Sequence, residues 1–400
     1  MDITSDHPYW FIKNGLIQSY PALDADRHCD VAVIGAGITG AMLAERVSQM
    51  GRSIIVLDGR DVGLGSTSAS TALLQYEIDL MLIEMAKLIG LDQAEQAYRL
   101  SHQSIDQIDE VVSESRIECG FRKKSSIFLA ANKKEARLIA EEALARQKIG
   151  LDVRYLTREE VKSQYSIDTE AALLTHQAAS CDAYRLCHGL LKTIKDRGAE
   201  IYDRTKVNKI QCHEDHVDLI TDRGPTIHAK KVIIATGYES QLLLKEKVVD
   251  LQSTYALVSA PLEDLSPWDE SWMMWEKREP YLYLRVTDDK RLLVGGEDDP
   301  FRNPKRRDAS LPKKVRIIEQ KVRKLLPELQ WETEFAWAGT FGKTKDGLAF
   351  IGPTKEYPGC YFALGFGGNG ITFSCIARDI IASYLEDKPV PEAEIFRFGR

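Results

Sequence analysis

Cys29-Asp-Val-Ala-Val-Ile-Gly35-Ala36-Gly37-Ile38-Thr39-Gly40, an apolar-periodic run to Met50, Gly51, and then Ser53-Ile-Ile-Val-Leu-Asp58 decide the fold. This is a buried strand, a glycine turn, a helix closed by glycine, and a second strand ending in an acid. The order makes a dinucleotide site: Gly35 permits the tight turn, Gly37 lets backbone approach a pyrophosphate, and Gly40 lets helix pack close to strand. The phosphates then face the positive end of a helix starting near Ile38. Asp58 stands where a carboxylate can accept from ribose hydroxyls.

The surrounding chain bounds the answer. Its 400 residues are 44% hydrophobic and 28% charged, an ordinary globular composition for one large domain or two smaller ones. A formal net charge of −7 argues against a non-specific nucleic-acid binder. No apolar run is long enough to span a bilayer, and the start of the chain lacks the basic and apolar parts of a signal peptide. Seven scattered cysteines without CxxC read as reduced, mostly buried thiols, which places the protein in the cytoplasm. Eight histidines without an HxxxH pattern give no reason to expect a metal site.

Residues 1–27 are a polar and aromatic lead-in whose Pro8-Tyr9-Trp10-Phe11 can dock on the body. Asp61 to Thr71 is a small-residue loop, too close to Asp58 to be a linker. A helix is predicted over 92–118, a strand over Ser126–Ala130, and a helix to Ile149 stopped at Gly150. Thr157-Arg-Glu-Glu160 is a capping box. After a helix over Ala183–Arg197, strands follow through 200–235, ending in Lys231-Val-Ile-Ile-Ala235-Thr236-Gly237. Residues 254–297 are again strand-rich. Pro312 is predicted to open a basic amphipathic helix to Leu326. Tyr361–Leu364 reads as a strand, Gly365-Phe-Gly367-Gly368-Asn369-Gly370 as a turn, and Ile371–Leu385 as the last helix.

Four motifs in this order resemble the D-amino-acid oxidase, glycine oxidase and sarcosine oxidase superfamily over nearly the whole length. They are Gly35-x-Gly37-x-x-Gly40, Gly65-Ser66-Thr67-Ser68-Ala69, Ala235-Thr236-Gly237, and the C-terminal pair Trp337-Ala-Gly339-Thr-Phe341-Gly-Lys343-Thr-Lys-Asp346-Gly347 and Gly365–Gly370. The resemblance implies an α/β protein: an FAD-binding Rossmann-like domain with an interleaved α+β substrate domain on a mostly antiparallel sheet. The FAD domain is expected from three pieces (28–80, 180–250, 335–400) and the substrate domain from 81–179 and 251–334.

The same resemblance implies roles. Gly35 to Gly40 hold the pyrophosphate, and Asp58, flanked by Gly59 and Arg60, the adenosine ribose. Ser66, Thr67, Ser68 and Ala69 run along the phosphates and ribityl chain. Thr71, Ala72, Leu73 and Leu74 pass beneath the ring. Val207 meets adenine, and Ala235, Thr236 and Gly237 pack near the adenosine. Gly367, Gly368, Asn369, Gly370 and Ile371 present backbone N–H groups to the flavin N1 and C2 carbonyl, where a helix N-terminus stabilises the negative charge of the reduced ring. Sarcosine oxidase attaches FAD through a cysteine whose counterpart here is Gly339, so the FAD is expected to be non-covalent.

In this superfamily a substrate loses a hydride from a carbon bearing nitrogen, or sometimes oxygen, to flavin N5. A dry aromatic pocket helps by favouring the neutral amine. Period-two alternation in Tyr281-Leu-Tyr283-Leu-Arg285-Val offers such a wall, with Tyr281, Tyr283 and Arg285 on one face. Departures carry information too. The arginine with which glycine oxidase clamps the substrate carboxylate is Phe341 here, and its second arginine falls at Gly368. Arg285 is the candidate substitute. The oxygen-activating lysine of sarcosine oxidase aligns near Leu293, leaving Lys343 as the candidate positive charge at the flavin.

The leading expectation is therefore hydride transfer from a CH–NH group of a small amine or amino-acid derivative, with oxygen or another carrier as acceptor. The alternatives are oxidation of a CH–OH group, as in a 2-hydroxy acid, or a structural FAD in a binding module. The chain is expected to work as a monomer or homo-oligomer.

Overall fold

The computed structural model describes residues 1–400 except Asp6 and Pro267. Arg27–Ile34 is the hub of the first sheet, hydrogen-bonded in parallel to Ile54–Leu57 on one side and to Thr226–Ile234 on the other. Cys360–Leu364 joins the outer side of Thr226–Ile234, also in parallel. Glu200–Tyr202 joins Ile54–Leu57. An antiparallel hairpin, Val207–Cys212 and Val217–Thr221, grows from Thr226–Ile234. All four residues Val31 to Ile34 are buried, but they divide by parity: Val31 and Val33 enter the core shared with helices Ile38–Ser48, Ala183–Asp196 and Gly370–Leu385, while Ala32 and Ile34 enter a second core on the opposite face. A strand covered on both faces reads as an unbroken apolar run, which the sequence Val-Ala-Val-Ile is.

The second sheet runs Thr333–Lys343, Asp250–Pro261, Arg291–Asp299, Leu282–Val286, Trp272–Glu276, Arg122–Ala130, Ala171–Ser180 and Leu73–Gln75, with Arg154–Thr157 also on Ala171–Ser180. Its pairings are antiparallel except that of Trp272–Glu276 with Arg122–Ala130. Leu282 and Leu284 pack with Ile318 and Val322 of the helix Pro304–Leu325. Alternation therefore turns Tyr281 and Tyr283 to the other side of the sheet.

Several elements differ from expectation. Strands Leu73–Gln75 and Thr333–Lys343 belong to the second sheet by their hydrogen bonds, although the expected pieces 28–80 and 335–400 grouped them with the nucleotide domain. The small-residue segment contains a helical turn, Ser66–Ala69. The basic helix starts at Pro304, behind the Asn303 cap whose side chain accepts from the Arg306 N–H, and carries Pro312 inside. That proline forgoes one helical hydrogen bond. The capping box is formed: Thr157 Oγ1 accepts from Glu160 N–H, and Glu160 Oε2 accepts from Thr157 N–H.

The lead-in is ordered against the body. Ile3 accepts from Thr340 N–H, Thr4 bridges Gly339, and Ser5 pairs with Ala338. Tyr9 and Trp10 of the short helix Tyr9–Asn14 are 2% and 1% exposed, and Trp10 Nε1 donates to the Ser70 carbonyl.

Candidate active site

A cavity of about 950 Å³ lies between the two sheets. Its volume is at the upper end of the range for ligand pockets, room for a large cofactor and a small molecule together. All the residues expected to hold the cofactor line it except Ala36, Gly40 and Ser68, and so do Tyr281, Tyr283, Phe341 and Lys343.

The glycine turn owes its form to two close approaches. Gly35 has φ 106° and faces the backbone of Ala235, while a side chain on Gly40 would strike the Gly35 carbonyl. Gly40 thus acts one layer behind the wall, setting the distance between helix and strand. Gly37 caps the helix Ile38–Ser48 without offering a side-chain acceptor, and Thr67 Oγ1 accepts from Ile38 N–H at 2.9 Å. Asp58 Oδ2 accepts from Ala36 N–H at 2.7 Å and Oδ1 from Arg60 N–H at 2.8 Å. Burial raises its pKa, and those two N–H groups pull the other way. The acid thus holds the turn and still fronts the cavity. Beside it, Arg60 pairs with Glu239 at 2.9 Å.

The opposite end is a helix N-terminus. Asn369 precedes Gly370–Leu385, but its side chain does not cap the helix; Nδ2 donates instead to the carbonyls of Glu77 and Gln75 at 2.9 and 3.3 Å. The first-turn residues Gly370, Ile371 and Thr372 are left at the cavity wall. Their backbone N–H groups have no acceptor within the helix and suit a ligand that carries negative charge.

Between the ends stands an aromatic wall. Burial pushes the Tyr283 hydroxyl up to about 12 and the Tyr281 hydroxyl well above the usual range, the latter reinforced by Asp298 and Asp79. Phe341 is 8% exposed, and Lys343 Nζ lies 5.7 Å from both the Tyr281 and Phe341 ring centroids. Asp298 sits behind this wall beside the hydroxyls of Thr254 and Tyr281, without a well-formed hydrogen bond to either.

Arg285 is the exception among the expected reactive residues. It does not line the cavity. Its Nε donates to the Thr71 carbonyl and its Nη2 to the Cys181 carbonyl, both at 2.8 Å, and the guanidinium lies 5.4 Å from the Trp10 ring centroid. It braces the Thr71 segment from outside the cavity. The carbonyls and the ring supply the partners that make its burial tolerable.

Pattern reading missed two wall elements. Ile3 and Thr4 of the lead-in line the cavity, and so does Asp79. The Asp79 segment is tied down at several points. Glu142 accepts from Leu82 and Ile83 N–H, and the fully buried Arg146 bridges Glu142 and Glu77 at 2.7 and 3.4 Å. These contacts join residues far apart in sequence, and no local spacing signals them.

Away from the cavity, a two-residue hairpin turn brings His213 and His216 beside Asp218, with ligand atoms within 4.8 Å of one another. Asp218 is also held by His228 Nδ1 at 2.6 Å. Cross-strand register makes this cluster, so the search for HxxxH spacing did not find it. No helix among the described residues is long and apolar enough to cross a membrane.

The family described as FAD dependent oxidoreductase matches residues 30–383. The probable oxidoreductase OrdL of Haemophilus influenzae is 24% identical over 94% of this chain and 87% of its own length. Among solved structures, glycine oxidase from Geobacillus kaustophilus superposes with a TM-score of 0.77 at 21% identity, covering 91% of this chain and 96% of that one. The L-proline dehydrogenase of P. horikoshii superposes with a TM-score of 0.79 at 19% identity, covering 94% and 97%.

Proposed function

The chain belongs to the FAD dependent oxidoreductase family, and from that premise we propose that it oxidises a CH–NH bond of a small amine or amino-acid derivative. One observation carries the reading: a single cavity runs from the Gly35–Gly40 turn and Asp58 to a helix N-terminus at Gly370, with the Tyr281, Tyr283 and Phe341 wall between them. The relatives support the class of substrate, since glycine oxidase and L-proline dehydrogenase are named for amino acids.

Bound FAD supplies the hydride acceptor. The chain supplies the rest. Gly35, Gly37 and the helix at Ile38 would cradle the pyrophosphate, Asp58 would hold the ribose, and the Gly370 helix end would favour negative charge on the ring. Tyr281, Tyr283 and Phe341 exclude water and favour the neutral amine, the form that releases hydride. No cysteine or histidine is among the described residues lining the cavity, which supports non-covalent attachment. Lys343 is the positive charge we assign to oxygen or another electron carrier. All seven cysteines are free and six are buried, in keeping with a reducing cytoplasm.

Absorbance and anaerobic titration test the reading. The purified protein is expected to show oxidised flavin bands that denaturation releases into solution and that amines bleach. Bleaching by 2-hydroxy acids alone would reassign the substrate, and colourless protein that takes up no FAD would sink the proposal.

A further inference from the structure

Gly368 N–H donates to Asp79 Oδ2 at 3.2 Å, and a Cβ on Gly368 would come within 3.0 Å of Oδ1. The carboxylate therefore holds the space into which a side chain from residue 368 would grow. It is ringed by protein yet open to the cavity itself. Burial raises its pKa, and the Gly368 N–H and the Lys343 charge oppose that rise.

The neighbouring charges do not settle it. Lys277 is committed to Glu84 at 3.1 Å. Glu276 pairs with Arg278 and accepts from Leu282 N–H. That leaves Asp79 and Glu279, with Asp298 behind the wall, against Lys343, which reaches Glu279 only at 3.9 Å. The arginine nearest in sequence to the aromatic wall, Arg285, is spent on carbonyls behind it. Two carboxylates facing one ammonium in an aromatic-walled space disfavour a further carboxylate and favour a cation.

We propose that Asp79 binds a second, cationic nitrogen away from the CH–NH group that is oxidised, so that this cavity takes basic amines lacking a carboxylate on the oxidised carbon. This rests on the amine-oxidising reading above and narrows it.

A pair of unreactive probes tests it by calorimetry on the FAD-loaded protein: benzyltrimethylammonium and phenylacetate, which share a benzyl group and carry opposite charge. The cation is expected to bind and the anion not. Asp79→Asn is expected to weaken the cation on the order of 100-fold while the flavin spectrum persists. Tighter binding of phenylacetate, or a cation preference unchanged in Asp79→Asn, overturns the proposal. Should Asp79→Asn fail to hold FAD, Lys343→Met decides: removing the competing ammonium is expected to tighten the cation, and weakening overturns the proposal. No turnover is needed, so the outcome separates from that of the amine reading. If phenylacetate wins while N-methylated amino acids bleach the flavin, only this narrower inference falls.

Discussion

Arg285 Nε donates to the Thr71 carbonyl oxygen at 2.8 Å, tying the second sheet to a segment of the cavity wall. Replacing Arg285 by methionine removes this bond and the one to Cys181, and leaves a half-buried and a buried carbonyl without their donors. The expected loss is about 3 kcal/mol in urea unfolding. Stabilisation by added FAD should also shrink, because Thr71 is no longer held. Equal losses with and without FAD would show that the brace does not serve the cofactor.

Arg146 is the sole cation between Glu142 and Glu77 among the described residues, and all three are buried. Arg146→Met strands two carboxylates in the core and should cost about 3–5 kcal/mol. The triple replacement of Arg146, Glu142 and Glu77 by apolar residues is expected to recover part of that loss. A single variant melting like the parent would refute the account.

Asp58 holds the glycine turn and, in the proposed reading, the ribose, and Asp58→Ala removes both contacts. FAD affinity is expected to fall on the order of 10- to 100-fold, from loss of the ribose acceptor and of the two N–H contacts that shape the turn. Fluorescence titration of stripped protein with FAD measures it. An unchanged dissociation constant would remove Asp58 from the site.

His188 predicts an acid limit to stability. Burial lowers its pKa from 6.5 to about 4, and neither ring nitrogen has a well-formed hydrogen bond. Between those values the unfolded chain binds the extra proton, so stability is complete above pH 6.5 and falls as pH drops toward 4, by on the order of 3 kcal/mol across the window. Urea midpoints at pH 7 and pH 5 should diverge less in His188→Leu than in the parent. Equal divergence would discharge His188.

The glycine-turn end of the cavity was legible because its signals are local. A glycine turn between an apolar strand and a periodic helix has few other uses, and alternation alone ranked Tyr281 with Tyr283. Alternation also ranked Arg285 with them, yet could not tell that the strand carries it past the end of the cavity. Asp79 was invisible for the opposite reason. It follows no period, and its meaning comes from Gly368, far along the chain. Pro312 shows that a breaker is not always a boundary: a helix capped by Asn303 and packed through Ile318 and Val322 tolerates the missing bond.

Because the cradle draws on residue 1 at one extreme and residue 372 at the other, it closes only when both ends of that span have come together. Polypeptides stopped anywhere before the helix Gly370–Leu385 should come out colourless however well their first βαβ unit has formed.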